Sequence, residues 1–251
     1  TVRQARRADI VVANHALVMT QSAMGGLDDG NIPTRLVFDE GHHVFDAADS
    51  AFSAELGGRQ GAELRHWLLG AEAGGRSRAR GLARRLEDIA ALDEAVGDAL
   101  AKVLDAAWCL PSQGWIQRIA DGAKPAGPAE EFLALVRSQV YARARDANTP
   151  YDLEADTHPP VDGLPEAAVG LAQALRALSN PMKALIARLM QLLDDDSAHL
   201  DTYLRQRIDA TCRGLRRRAE GEIDAWCGML ENLADVVPEQ YVDWFSVSRD
   251  Q

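Results

Sequence analysis

The chain has 251 residues, 47% of them apolar, and a formal net charge of −11. That length and composition suit a soluble protein of one or two domains with a real core. They exclude a membrane span, which needs roughly 20 consecutive apolar residues, and so acidic a chain can meet nucleic acid only through local basic patches. Cys109, Cys212 and Cys227 are odd in number and too widely spaced for a zinc or iron–sulfur box or a disulfide framework, which points to a reducing cytoplasm.

The first residues have neither an initiator Met nor a signal-peptide core, so the chain reads as the interior of a longer one. Ala8-Asp9-Ile10-Val11-Val12-Ala13-Asn14-His15 is a β-branched run ending in polar residues, and Ala16-Leu17-Val18-Met19 continues with helical spacing. A turn-rich loop at 25–33 leads to Arg35-Leu36-Val37-Phe38-Asp39-Glu40-Gly41-His42-His43, a second apolar run that stops at two carboxylates. Strand, short helix, loop and strand make a parallel crossover, which would put Asn14 and Asp39 at one sheet edge. Ligands of open α/β sheets bind at the carboxyl ends of their strands. Two acids there are costly to bury unless a cation or a reaction uses them. Nucleotide hydrolysis uses them: the first acid holds Mg²⁺ at the phosphates and the second polarises the attacking water. The competing reading is a strand-to-helix turn in which Asp39 caps the next helix and His42 and His43 lie on its first turn.

Together these two stretches resemble the XPD/DinG family of superfamily 2 DNA helicases. The resemblance implies that Asp39 is the Mg²⁺ carboxylate and binds Mg-ATP together with Glu40. Glu40 is then the catalytic base, and His42 couples the nucleotide site to the parts that move DNA. Asn14 and His15 match a family signature without a firm role, and His43 reads as a helix start. Gly41 departs from the usual Ala of the box. In the family an iron–sulfur domain precedes the first strand and a helical arch follows the Asp-Glu box, with the cluster's cysteines outside this chain. No Gly-x-x-x-x-Gly-Lys-Ser/Thr loop occurs here, so the chain alone is expected not to hydrolyse ATP.

From residue 45 onward the pattern is helical. Helices are expected after the box, over 64–71, over 77–108 as one long helix, at 115–119 and at 132–141. Residues 148–160 read as an irregular polar loop. Three more helices follow, over 165–178, from Pro181, and over 197–234, with Asn180-Pro181 as cap and first-turn proline. Tyr241-Val242-Asp243-Trp244-Phe245-Ser246-Val247 alternates like a strand. The fold class is therefore mainly α: long antiparallel helices attached to a small parallel-sheet remnant. The expected domains are a partial motor domain at 1–44, a helical arch at 45–236 and a strand returning to the motor domain at 237–251.

Two basic groups stand out, Arg76, Arg78, Arg80, Arg84 and Arg85, then Arg213, Arg216, Arg217 and Arg218. They are either contacts to a DNA backbone or solvated faces paired with Glu87, Asp88, Glu220 and Glu222. Trp67, Trp108, Trp115 and Trp226 read as core rather than base-stacking residues. The leading expectation is part of an ATP-dependent helicase translocating on single-stranded DNA in repair or replication. Its partners would be the strand and the rest of the helicase chain, with no membrane and a monomeric state. The alternatives are a non-catalytic helical protein-interaction module and a metal-dependent hydrolase using Asp39, His42 and His43.

Overall fold

The structure is a computed structural model and describes residues 8–23, 35–71, 81–144, 152–195, 200–233 and 242–248. The chain divides into two compact units, Thr1–Glu55 and Leu56–Gln251. The described part is mainly helical, with one two-stranded antiparallel sheet. No helix among the described residues is long and apolar enough to cross a membrane.

The first unit holds α1 (His15–Ala23) and α2 (His43–Phe52). Residues 8–14 and 35–38 lead into them as unpaired chain, so the expected parallel strands are not formed among the described residues. A strand exists only through backbone hydrogen bonds to a neighbour, and neither run has one. Their side chains are correspondingly open: Ile10 is 84% exposed, Val12 95% and Val37 96%. No described residue of this unit is fully buried.

The second unit contains the core. Its helices are α3 (Gly58–Leu69), α4 (Leu82–Leu92), α5 (Glu94–Ala106), α6 (Trp115–Ala120), α7 (Pro128–Arg143), α8 (Leu164–Asp194), α9 (Thr202–Arg216) and α10 (Asp224–Asn232). A π-helical segment, Arg217–Ile223, joins α9 to α10. Strands β1 (Leu153–Asp156) and β2 (Trp244–Val247) pair antiparallel, Leu153 opposite Val247. The two strands lie against α7, where Phe245 meets Phe132 edge-on at 6.5 Å.

The long helix α8 is the spine. Leu164, Ala168, Leu171, Leu175, Leu178, Met182, Leu185, Leu189 and Leu192 are all buried on it. They alternate in steps of four and three, the seam of a helix that packs along its whole length against other helices. α5, α7, α9 and α10 supply those partners.

Four sequence expectations are corrected here. The single helix over 77–108 is two helices, because Asp93 adopts extended backbone and caps α5 by accepting from Val96 N at 3.1 Å. The Arg188 guanidinium holds the same carboxylate at 2.7 Å. The two helices flanking Asn180-Pro181 are one, with Pro181 inside α8. An interior proline costs on the order of 3 kcal/mol, and the buried seam on both sides of it outweighs that loss. The helix over 197–234 is divided by the π segment. Part of the expected loop at 148–160 is strand β1, which gives β2 its partner. Below it, the buried Gln139 donates to the Asp156 and Thr157 carbonyls, each at 2.8 Å, and accepts from Val161 N at 3.0 Å.

Candidate functional site

In the first unit the chain brings both signature stretches together. Asn14 caps α1 by accepting from Leu17 N at 2.8 Å, which ends the apolar run and fixes where His15 begins the helix. His15 then stacks on Phe38 at 5.7 Å between ring centroids and lies 6.5 Å from His43. The residue before the carboxylate pair and the histidine after it thus share one aromatic cluster.

Between them the backbone reverses. Glu40 has φ 49°, the one positive φ outside glycine among the described residues. A left-handed residue with a Cβ costs roughly 1–2 kcal/mol. The turn is closed by His43 N donating to the Glu40 carbonyl at 3.0 Å and Val44 N donating to Gly41 at 3.1 Å. Asp39 Oδ1 accepts from Glu40 N at 3.1 Å, so it braces its neighbour's amide and does not cap α2. His42 is the residue preceding α2, and its Nδ1 lies 3.4 Å from Glu40 Oε2. Both side chains are about two-thirds exposed, so this contact orients more than it stabilises. At Gly41 a Cβ would meet nothing within 4 Å, so the departure from Ala is sterically neutral.

Asp39 and Glu40 present carboxylate oxygens, the donor type Mg²⁺ prefers, and in this respect they fit Mg-ATP. The phosphate cradle is not in the sequence. Among the described residues no group of three His, Cys, Asp or Glu side chains converges as a metal centre requires, so Asp39, His42 and His43 form no such set. None of the three cysteines is in a disulfide, and burial pushes the Cys109 thiol up to about 11 and raises those of Cys212 and Cys227.

The two basic groups behave differently from each other. Arg76, Arg78 and Arg80 lie outside the described residues, while Arg84 and Arg85 are exposed on α4. Arg213 pairs with Asp209 at 2.5 Å, Arg217 with Glu222 at 3.3 Å, and Arg216 touches the Met190 sulfur. Arg218 stacks over Trp67 at 4.0 Å, and Arg85 approaches the same indole at 5.2 Å. The two groups therefore meet at Trp67, a half-buried residue that sequence spacing assigns to the core. Trp226 is core at 3% exposure, whereas Trp108 is 61% exposed with the buried Arg65 over its ring at 4.4 Å. Periodicity places a tryptophan on a helix face but does not say whether the end of the element covers it.

Comparison of the chain with family models, with curated proteins and with solved structures returns no match.

Proposed function

We propose that this chain carries the carboxylate box and the helical arch of an XPD/DinG-type helicase, an ATP-dependent motor acting on single-stranded DNA. One observation carries the reading. The Asn14-His15 signature and the Asp39–His43 box, separated by the 23 residues 16–38, fold against each other through His15, Phe38 and His43. The left-handed Glu40 adds to it, because backbone held in a sparsely populated region clusters at active sites. The open β-branched runs at 8–14 and 35–38 have the composition of buried parallel strands, and the remaining strands of a motor sheet would cover them.

Bound Mg-ATP would supply an electrophilic phosphate and the charge that Asp39 neutralises. Within the chain, Asp39 braces the turn and offers an oxygen donor. Glu40 accepts a proton from water at its carboxylate, and His42, whose Nδ1 lies 3.4 Å from Glu40 Oε2, orients that carboxylate. The phosphate loop, the cluster domain and the second motor domain would belong to the remainder of a longer chain.

The test is Glu40→Gln in that longer protein. ATP binding is retained and turnover falls by on the order of 10²- to 10⁴-fold; hydrolysis at the parental rate would remove Glu40 from the chemistry. The chain by itself is expected to show no DNA-stimulated turnover.

A second reading, a non-catalytic helical module for a protein partner, is favoured by Phe45 and Phe52, which stand 73% and 63% exposed on α2. Under that reading Glu40→Gln leaves every activity of the longer protein unchanged.

A further inference from the structure

The place where the two basic groups converge is a built site. Trp67 on α3 forms one wall of an open cleft of about 410 Å³, whose other walls are Ala62, Glu63, His66, Arg85 and Arg218. Three separate elements supply it: α3, α4 and the π segment after α9. Gly214 on α9 lets the indole come close, since a Cβ there would stand 3.2 Å from the ring. Arg218 is oriented by donating to the Gly214 carbonyl at 3.0 Å, and its guanidinium carbon lies 4.0 Å from the Trp67 ring centroid. The cleft thus offers a guanidinium plane backed by an indole, a second arginine beside the same ring, and a volume of the order of one nucleotide.

These are the groups that bind an unpaired nucleotide. A base stacks on an aromatic ring or a guanidinium plane whatever its identity, and an arginine fork fits a phosphate. A duplex offers no exposed base face to the indole, and an acidic peptide would use the charges and leave the ring idle. Arg218 also has reason to accept an anion. Burial lowers its pKa; Glu222 opposes that shift, and the neighbouring Arg217 and Arg85 charges add to it. Glu63 lines the same cleft and limits its attraction for anions that offer nothing to stack.

We propose that Trp67, Arg85 and Arg218 form a seat for one nucleotide of a single-stranded nucleic acid, the base stacked on the Trp67–Arg array and its phosphate held by the guanidinium groups. The choice of a single strand rests on the helicase reading, while the seat itself rests on the cleft.

The test is fluorescence anisotropy of a labelled fifteen-nucleotide oligothymidylate with this chain, without ATP, across a salt series. Oligouridylate, a duplex of the same length and polyglutamate serve as competitors. The unmodified chain binds the single strand, and oligouridylate competes if the seat reads base and phosphate alone. Arg85→Ala with Arg218→Ala weakens binding by about 10-fold and lowers the slope of log affinity against log salt by about 0.7. Trp67→Ala weakens binding by about 10-fold, and Trp67→Phe keeps most of the affinity. Arg85 is exposed, so Arg85→Glu leaves the fold intact and decides the matter even if Trp67→Ala unfolds. No binding by the unmodified chain, unchanged affinity and salt slope in Arg85→Glu, or equal competition by the duplex or polyglutamate would overturn the proposal. None of these readouts involves ATP. Loss of the seat therefore leaves the role of Glu40 standing, and normal hydrolysis by Glu40→Gln leaves the seat standing.

Discussion

The His15 imidazole lies against the Phe38 ring, centroids 5.7 Å apart and planes inclined by 18°. This stack joins two stretches that residues 24–34 separate in the sequence, and it sits immediately before the Asp39–Glu40 pair. An aromatic pair of this kind contributes on the order of 1 kcal/mol beyond its buried area. In a unit with no fully buried described residue, that is a large share of what holds α1 to the carboxylate turn.

The left-handed Glu40 gives a prediction that separates backbone from side chain. Glu40→Ala and Glu40→Gly both remove the carboxylate, but only glycine relieves the positive φ. Amide exchange over 35–52 should therefore be slower in Glu40→Gly than in Glu40→Ala, by a margin of about 1 kcal/mol in local opening free energy. Equal protection in the two variants would mean that the turn does not hold residue 40 in this conformation.

Glu130 gives a prediction about pH. It is 1% exposed on α7 and accepts from Arg118 at 2.6 Å, from Ser112 N at 3.0 Å, from the Ser112 hydroxyl at 3.1 Å and from Ala126 N at 2.9 Å. Burial alone would raise its pKa, but Arg118 and these donors outweigh burial and bring it down to about 2. The folded value lies below the unfolded one. The stabilisation is therefore complete above the ordinary carboxylate range, near pH 4.5, and is lost as pH falls towards 2. It amounts to roughly 3 kcal/mol. Glu130→Gln should lower the urea midpoint at pH 7 and show a shallower loss of stability between pH 4.5 and 2. Parallel pH profiles for the two proteins would exclude Glu130 as the source.

Pro181 should be a site of easy stabilisation. Alanine there restores an amide to the interior of α8 without altering the buried seam on either side. Proline costs about 3 kcal/mol relative to alanine in a helix interior, and part of that is recovered. Pro181→Ala is expected to raise the unfolding free energy by about 1–3 kcal/mol in urea melts followed by tryptophan fluorescence. A destabilised variant would show that the ring itself fills space in the core.

Gly58 and Trp115 form the fourth test. A Cβ at Gly58 would come within 2.2 Å of the Trp115 ring, so the indole rests on the bare backbone at the start of α3. Gly58→Ala should destabilise by about 1–3 kcal/mol, as overpacking does. In a Trp115→Ala background the same change should cost much less. Additive costs would place the ring elsewhere.

Much of the second unit was legible. α6, α7 and β2 lie where spacing and alternation put them, because each has its own period, although α7 opens at Pro128, before its first apolar step. The misses share one cause: they depend on what the far chain supplies. Asp93 breaks a continuous stripe because Arg188 waits for it 95 residues later, and Pro181 fails to break one because four helices pack along α8. β1 was hidden because β2, its partner among the described residues, lies at the other end of the unit. In the candidate site Asp39, Glu40 and His42 were legible as a run of residue types. The left-handed turn was not, since nothing in Glu40 favours that conformation. Nor was Trp67, whose two arginines come from α4 and from the π segment.

The spine helix has a consequence for how the second unit can be taken apart. At about 1.5 Å per residue, its 31 residues make a rod about 46 Å long. Segments that precede it in the chain, α5 and α7, and segments that follow it, α9 and α10, bury their apolar faces on that one rod. No cut through the sequence leaves a piece that owns a core: the part before residue 164 loses its inner wall, and the part after residue 194 is left with nothing to pack on. The second unit is one indivisible cooperative block. A force or ligand applied at the Trp67 cleft is shared by all of it at once.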